Sequence, residues 1–291
     1  MRIATLFLRY GTERYPRALE NIARFFRERL PGVEHELVVI DNALPCEHRE
    51  RIDDRRTIIG GDNSRWEFSG WDQGLRFLGQ RILDLEFVHL ATSAYQELYT
   101  AYIERLDEEM LSFVVGRGAA VGHIGYYDSP VALLGRPCQS WLRTSFLFMP
   151  PTELRLLGSL VSVSDGSVFF SGDPARPFRE DAPISDNYKQ CILGWLTGSG
   201  TGQGVSWHSR FDLSATTIEM FEAKTLAILN EMMLTVRLRT QGCATVDATW
   251  LSARVKQLRA TGGGLGPIPD WVEQITTRDV GGGKLNSEVL V

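Results

Sequence analysis

Residues 1–90 alternate between two hydrophobic periods. Ile3 to Leu8 is a short continuous apolar run, and Pro16 to Arg29 then carries apolar residues at helical spacing, which predicts a strand followed by a helix. Leu37 to Ile40 is a second apolar run that stops at Asp41-Asn42, and Arg56 to Ile59 is a third that stops at Gly60-Gly61-Asp62-Asn63. Gly70 to Leu83 sets Leu75, Phe77, Leu78 and Ile82 along one predicted helix, and Leu85 to Leu90 reads as a fourth strand. Continuous apolar strands separated by helices predict a doubly wound α/β unit with a parallel sheet buried on both faces. Such sheets bind ligands beyond the C-terminal ends of their strands, where the polar residues of this chain gather.

Beyond Ala91 the pattern loosens. Gln96 to Met110 reads as a helix, Phe113 to Val115 as a strand, and Gly116 to Gly125 is glycine-rich. A helix over Thr152 to Leu160 follows Pro150-Pro151, since proline suits a first turn. Gly166 to Asp181 reads as a loop, and Ser185 or Asp186 caps a helix running to Leu196. Gly198 to Gly204 breaks the chain before Val205-Ser206-Trp207-His208. Thr216 to Leu238 is the longest periodic segment, with its methionines read as core filling. From Gly262 on, the triplets Gly262–Gly264 and Gly281–Gly283 suggest an extended covering tail.

Composition narrows the classes. The 291 residues are 43% hydrophobic and 23% charged with a net charge of −5, an ordinary globular balance without the cationic surplus that nucleic acid requires. The arginines between Arg14 and Arg29 are interleaved with Glu20 and Glu28 and read as a solvated helix face. No run approaches the ~18 apolar residues of a membrane span, and the N-terminal apolar run is too short for a signal peptide. A cytoplasmic protein is expected, with peripheral membrane association and a homodimer left open. Cys46, Cys138, Cys191 and Cys243 lack metal-ligand or disulfide-framework spacing and read as reduced thiols.

Candidate chemistry clusters where strands stop: Arg9-Tyr10-Gly11, Asp41-Asn42, and Asn63 followed by Trp66-Glu67-Phe68-Ser69-Gly70-Trp71. Asp41 is placed to accept hydrogen bonds from a base edge or ribose, or to serve simply as a loop residue. Glycine-flanked polar and aromatic residues opening a helix offer phosphate donors and a stacking surface. Neither a G-x-x-x-x-G-K-[ST] loop nor a G-x-G-x-x-G fingerprint is present, which argues against nucleoside triphosphatases and dehydrogenases. His123 and His208 read as satisfied buried histidines or, less simply, as ligands, and no G-x-S-x-G marks a serine nucleophile.

The order of Val39-Ile40-Asp41-Asn42, the segment Asn63 to Trp71 with Gly74-Leu75, Val88 to Tyr95, and Gly122-His123-Ile124-Gly125 with Cys138 to Phe148 resembles GT-A glycosyltransferases. The likeness is to the rhamnan-synthesis type of bacterial polysaccharide assembly, over roughly residues 1–200. It implies a GT-A-like, Rossmann-like mixed sheet flanked by helices, with a nucleotide-binding half over 1–95, an acceptor half over 96–212, and a helical C-terminal extension over 213–291. It further implies a nucleoside-diphosphate sugar as donor, and a saccharide or lipid-linked acceptor. Donor contacts would come from Arg9, Asp41, Asn63, Glu67, Trp71, Thr92 and Ser93. Asp186 would be the base that deprotonates the acceptor hydroxyl in inverting transfer, with Glu180 and Asp181 as nearby substitutes.

The chain departs from this family after the fourth strand. Ala91-Thr92-Ser93 stands where many members carry an Asp-x-Asp or Asn-Asp-Ser element that holds a divalent cation, and hydroxyls replace carboxylates poorly. Metal ligands therefore stay unassigned. Either no metal is required and Arg9, Arg143 or Arg210 stabilise the leaving diphosphate, or the chain is a catalytically inactive sugar- or nucleotide-sugar-binding protein of the same fold. A nucleotidyltransferase is disfavoured because Arg9-Tyr10-Gly11-Thr12 is too short for its glycine-rich loop.

Overall fold

The computed structural model describes residues 1–98, 102–198 and 210–278, which divide into two compact units. The predicted Val205–His208 segment, His208 included, and the Gly281–Gly283 triplet lie outside the described residues.

Among the described residues, the first unit comprises 1–98, 102–124, 142–160 and 237–278. Its strands β1 (Arg2–Arg9) and β2 (Glu34–Asp41) pair in parallel and are joined by α1 (Ala18–Arg29). The short β3 (Arg49–Arg51) runs antiparallel to β4 (Arg56–Gly60), which in turn lies parallel to β2. Helix α2 (Trp66–Leu78) and a 3-10 turn over Gly79–Asp84 lead to β5 (Phe87–Thr92), on the other side of β1.

The predicted helix over residues 96–110 is instead broken. Short α3 (Tyr95–Leu98), a 3-10 turn at Ile103–Arg105 and α4 (Glu108–Ser112) occupy its described part. Asp107 starts α4 with its own cap, accepting from Met110 N at 2.8 Å, and a local cap competes with a continuing helix. Phe113 to Val115 forms a turn rather than a strand; the strand is β6 (Ala119–Gly122), inside the glycine-rich stretch.

After β7 (Ile124–Leu133) and β8 (Arg136–Leu142), β9 (Phe146–Met149) returns to the sheet antiparallel to both β5 and β6, and α5 (Pro151–Leu157) follows. Beyond α6 (Asp186–Thr197) and α7 (Ile218–Thr240), β10 (Ala244–Asp247) adds in parallel to β6. Helices α8 (Ala248–Thr261) and α9 (Trp271–Thr277) complete the described chain. The C-terminal region expected to be a helical extension thus supplies a strand. Four residues ending in a helix-capping aspartate are too few for a periodic signal.

The sheet is mixed and eight-stranded, in the order β10-β6-β9-β5-β1-β2-β4-β3. On one face Ile3 and Phe7 meet Ile22, Phe25 and Phe26 of α1, with Leu251 and Val255 of α8 in the same core. On the other face α2 lies close, because a Cβ on Gly70 would fall 2.4 Å from Leu8 Cδ1 and one on Gly74 would fall 2.6 Å from Ile40 Cδ1. Glycine at these two positions lets the helix backbone approach the strands. The architecture is α/β with helices flanking a large mixed sheet.

The second unit, residues 125–141 and 161–236 among those described, contains most of the β7–β8 hairpin, helix α6 and most of α7. Leu134 and Gly135 take φ of 51° and 72° at the hairpin tip, the doubly positive pattern that suits a tight hairpin turn. Its core gathers Tyr127, Trp141, Phe169, Tyr188, Ile192, Phe221 and Leu229.

Candidate functional site

Strands β1, β2, β4, β5, β6 and β10 all run the same way, so their C-terminal ends share one edge of the sheet, joined there by the N-terminal end of antiparallel β9. The chain leaves β1 toward β2 on one side and later enters β5 on the other. Such a reversal opens a crevice at the strand ends, the preferred ligand position of open α/β sheets.

At the β1 and β2 ends, Asp41 is nearly fully buried and heavily engaged. Its Oδ1 accepts from Gly11 N at 2.9 Å and Ala43 N at 3.0 Å, and its Oδ2 accepts from Arg9 Nε at 2.7 Å. Of the roughly four lone-pair positions of a carboxylate, three are used within the protein. Asp41 therefore closes the β1 and β2 ends together. Arg9 is the other half of that closure. Tyr10, the next residue, is 69% exposed and presents an aromatic ring at the same edge.

The turn after β4 is over-determined. Asp62 Oδ1 accepts from Ser64 N at 2.8 Å, Ser69 Oγ accepts from Arg65 N at 2.8 Å and donates to Asp62 O. Asn42 Nδ2 donates to Asn63 Oδ1 at 2.9 Å and to Trp66 O at 3.2 Å. Within this frame Trp66 adopts φ 50° and ψ −127°, a conformation that costs roughly 1–3 kcal/mol for a residue with a Cβ. Exposed Asn63 and half-buried Glu67 sit on this turn and in the first turn of α2.

Trp71 lies elsewhere. It is completely buried, and its indole N–H donates to Leu6 O in the middle of β1 at 3.1 Å. This corrects the expectation that it borders a ligand: residue 71 falls on the sheet-facing side of α2, and only the first turn of that helix reaches the edge.

At the β5 end, Thr92 N donates to Ser145 O at 3.1 Å and Ser93 N donates to Leu8 O at 2.8 Å. These two amides are thus held by neighbouring strands. Farther along, Asp247 ends β10 with no exposure and caps α8, accepting from Thr249 N at 2.9 Å and Trp250 N at 3.1 Å. Its Oδ2 accepts from Ile124 N at 2.9 Å and lies 3.4 Å from Arg278 Nη1 and 3.5 Å from His123 Nδ1. Burial pushes His123 down to about 3, opposed by Asp247 and assisted by Arg143 and Arg278, so the imidazole is neutral. His123 is buried, as its sequence reading expected, but its Nδ1 has no hydrogen-bond partner among the described residues, so it is not the satisfied histidine of that reading. Asp247 and Arg278 were invisible to sequence reasoning, because an aspartate before a helix and an arginine in a tail carry no shared spacing.

In the second unit, Asp186 opens α6 behind the cap residue Ser185. Its side chain is 88% exposed, with Oδ1 3.3 Å from Lys189 Nζ. Of the substitutes, Asp181 pairs with Arg179 at 2.9 Å on the surface, which holds its carboxyl below the usual range, and Glu180 is exposed.

No family model matches the chain, and no curated protein matches it either. Among the described residues no helix is long and apolar enough to cross a membrane, and no three His, Cys, Asp or Glu side chains come together as a metal-holding group.

Proposed function

We propose that this chain is a glycosyltransferase of GT-A-like fold, transferring a sugar from a nucleoside-diphosphate donor to a saccharide or lipid-linked acceptor, with inversion. The observation that carries the reading is the reversal of strand order between β1 and β5, beside exposed Tyr10, the Arg9–Asp41 closure and the strained Asn63–Trp66 turn. This edge offers what a nucleotide sugar needs: an aromatic face for the base, the exposed Asn63 side chain for the ribose or sugar, and the hydroxyls at the β5 end for the diphosphate. A mixed sheet flanked by helices agrees with the architecture implied by the sequence resemblance. Exposed Asp186 is available to take the proton of an acceptor hydroxyl, which is a weak nucleophile until deprotonated.

A second reading, a non-catalytic nucleotide-sugar-binding protein, is favoured by the hydroxyls of Thr92 and Ser93 in place of carboxylates. The two separate on one assay. Purified protein is incubated with UDP-, GDP-, dTDP- and CMP-sugars and a mixture of simple glycoside acceptors, and nucleotide release is followed. Acceptor-dependent release supports transfer; tight nucleotide-sugar binding without release supports the binding protein.

A further inference from the structure

A divalent cation on the donor diphosphate needs carboxylate oxygens, and the β5 end does not provide them. Thr92 and Ser93 contribute hydroxyls, and Ser145 stands beside Thr92 across the ladder between β5 and β9. Neutral hydroxyls neither match the charge of such a cation nor displace its water readily. The residues present therefore do not fit the metal that the family resemblance implies.

They fit an oxyanion instead. Ser145 is 8% exposed, and among the described residues its Oγ has no hydrogen-bond partner. A buried hydroxyl left unbonded is costly, and a ligand oxygen at the strand ends would satisfy it. Two residues before it stands Arg143, 5% exposed, whose backbone N–H donates to His123 O at 2.9 Å. The Arg143 guanidinium acts on the buried His123 ring, together with Arg278 and Asp247, and a charge in so poorly solvated a place acts strongly.

We infer that the ends of β5, β9 and β6 form a metal-independent oxyanion site, with the hydroxyls of Thr92, Ser93 and Ser145 and the Arg143 guanidinium receiving the diphosphate of the donor. The inference rests on the glycosyltransferase reading for the identity of the ligand and on the hydroxyl and guanidinium groups for the site itself. Preorganised donors of this kind also stabilise a departing diphosphate.

The test is thermal denaturation of the full chain with inorganic pyrophosphate, in EDTA and in Mn²⁺, for wild type and Ser145→Ala. The expected result is a rise in Tm with pyrophosphate in EDTA that Mn²⁺ does not enlarge. Ser145→Ala should weaken pyrophosphate binding by about tenfold while leaving the ligand-free Tm equal or higher, because it removes an unbonded buried hydroxyl. No rise in EDTA, a rise that requires Mn²⁺, or a Ser145→Ala protein that binds pyrophosphate as tightly as wild type would each overturn the inference. Nucleotide sugars run alongside keep the two claims apart: nucleotide-sugar binding only with Mn²⁺ sinks the metal-independent site and spares the transferase, whereas metal-free pyrophosphate binding without nucleotide-sugar binding does the reverse.

Discussion

Arg9 and Asp41, thirty-two residues apart in the chain, meet at the ends of adjacent parallel strands, with Arg9 Nε donating to Asp41 Oδ2 at 2.7 Å. Their side chains are only 14% and 4% exposed. Asp41→Ala would leave a poorly solvated guanidinium and the amides of Gly11 and Ala43 without their acceptor. We expect a loss of about 3 kcal/mol in urea unfolding, the range found when one partner of a buried pair is removed. An unchanged midpoint would mean that the pair is solvated and free to serve the ligand alone.

Fully buried His89 and half-buried His35 form a neutral histidine pair in the sheet. Thr5 Oγ1 lies 2.8 Å from His35 Nε2 and 3.1 Å from His89 Nδ1. Burial, with Arg55 adding to it, pushes His35 down to about 3; burial and the neighbouring His35 push His89 well below its ordinary value. The unfolded chain takes up protons below about 6.5 while the folded chain does not. Stability is therefore full above pH 6.5 and falls as pH drops toward 3, by up to about 1.4 kcal/mol per unit for each histidine. Urea midpoints at pH 7.5 and 5.5 test this, and His35→Gln should flatten the difference.

The strained turn at Trp66 predicts an inverted substitution order. In an ordinary helix Ala is better than Gly by about 1 kcal/mol. At φ 50°, ψ −127° the strain falls on any Cβ, so Trp66→Gly should be more stable than Trp66→Ala by about 1–2 kcal/mol. Chemical denaturation of the two variants decides it.

Asp186, exposed and at the start of α6, should be dispensable for folding. If it is the base, Asp186→Asn lowers kcat about 10²- to 10⁴-fold with Tm unchanged. Unchanged kcat would move the role to another residue.

The elements buried on both faces were the legible ones. Uninterrupted runs such as Leu37–Ile40 and the periodic Thr216–Leu238 matched β2 and α7 closely, since continuous apolar sequence has few alternatives. β6 was hidden because Ala119, Ala120, Val121 and Gly122 are too small to read as a strand; their burial comes from β9 and β10, distant in sequence. The strand-end polar residues were legible because they interrupt apolar runs. Which of them turn inward was not: Trp71 reads like Trp66, and only the pitch of α2 against β1 separates a core indole from one at the edge. Ser145 and Asp247 depend on strand neighbours that no local pattern specifies.

The central claim is that a nucleotide sugar occupies the edge beside Tyr10. The most direct measurement is a thermal-shift panel of UDP-, GDP-, dTDP- and CMP-sugars in EDTA, on wild type and Tyr10→Ala. At about 100 times its dissociation constant, a bound ligand adds roughly 2.7 kcal/mol to the native state. The account predicts a clear shift with one nucleotide class that Tyr10→Ala largely removes, while the ligand-free Tm stays the same because the ring is 69% exposed. No shift with any nucleotide sugar, or a shift that Tyr10→Ala leaves intact, would contradict it.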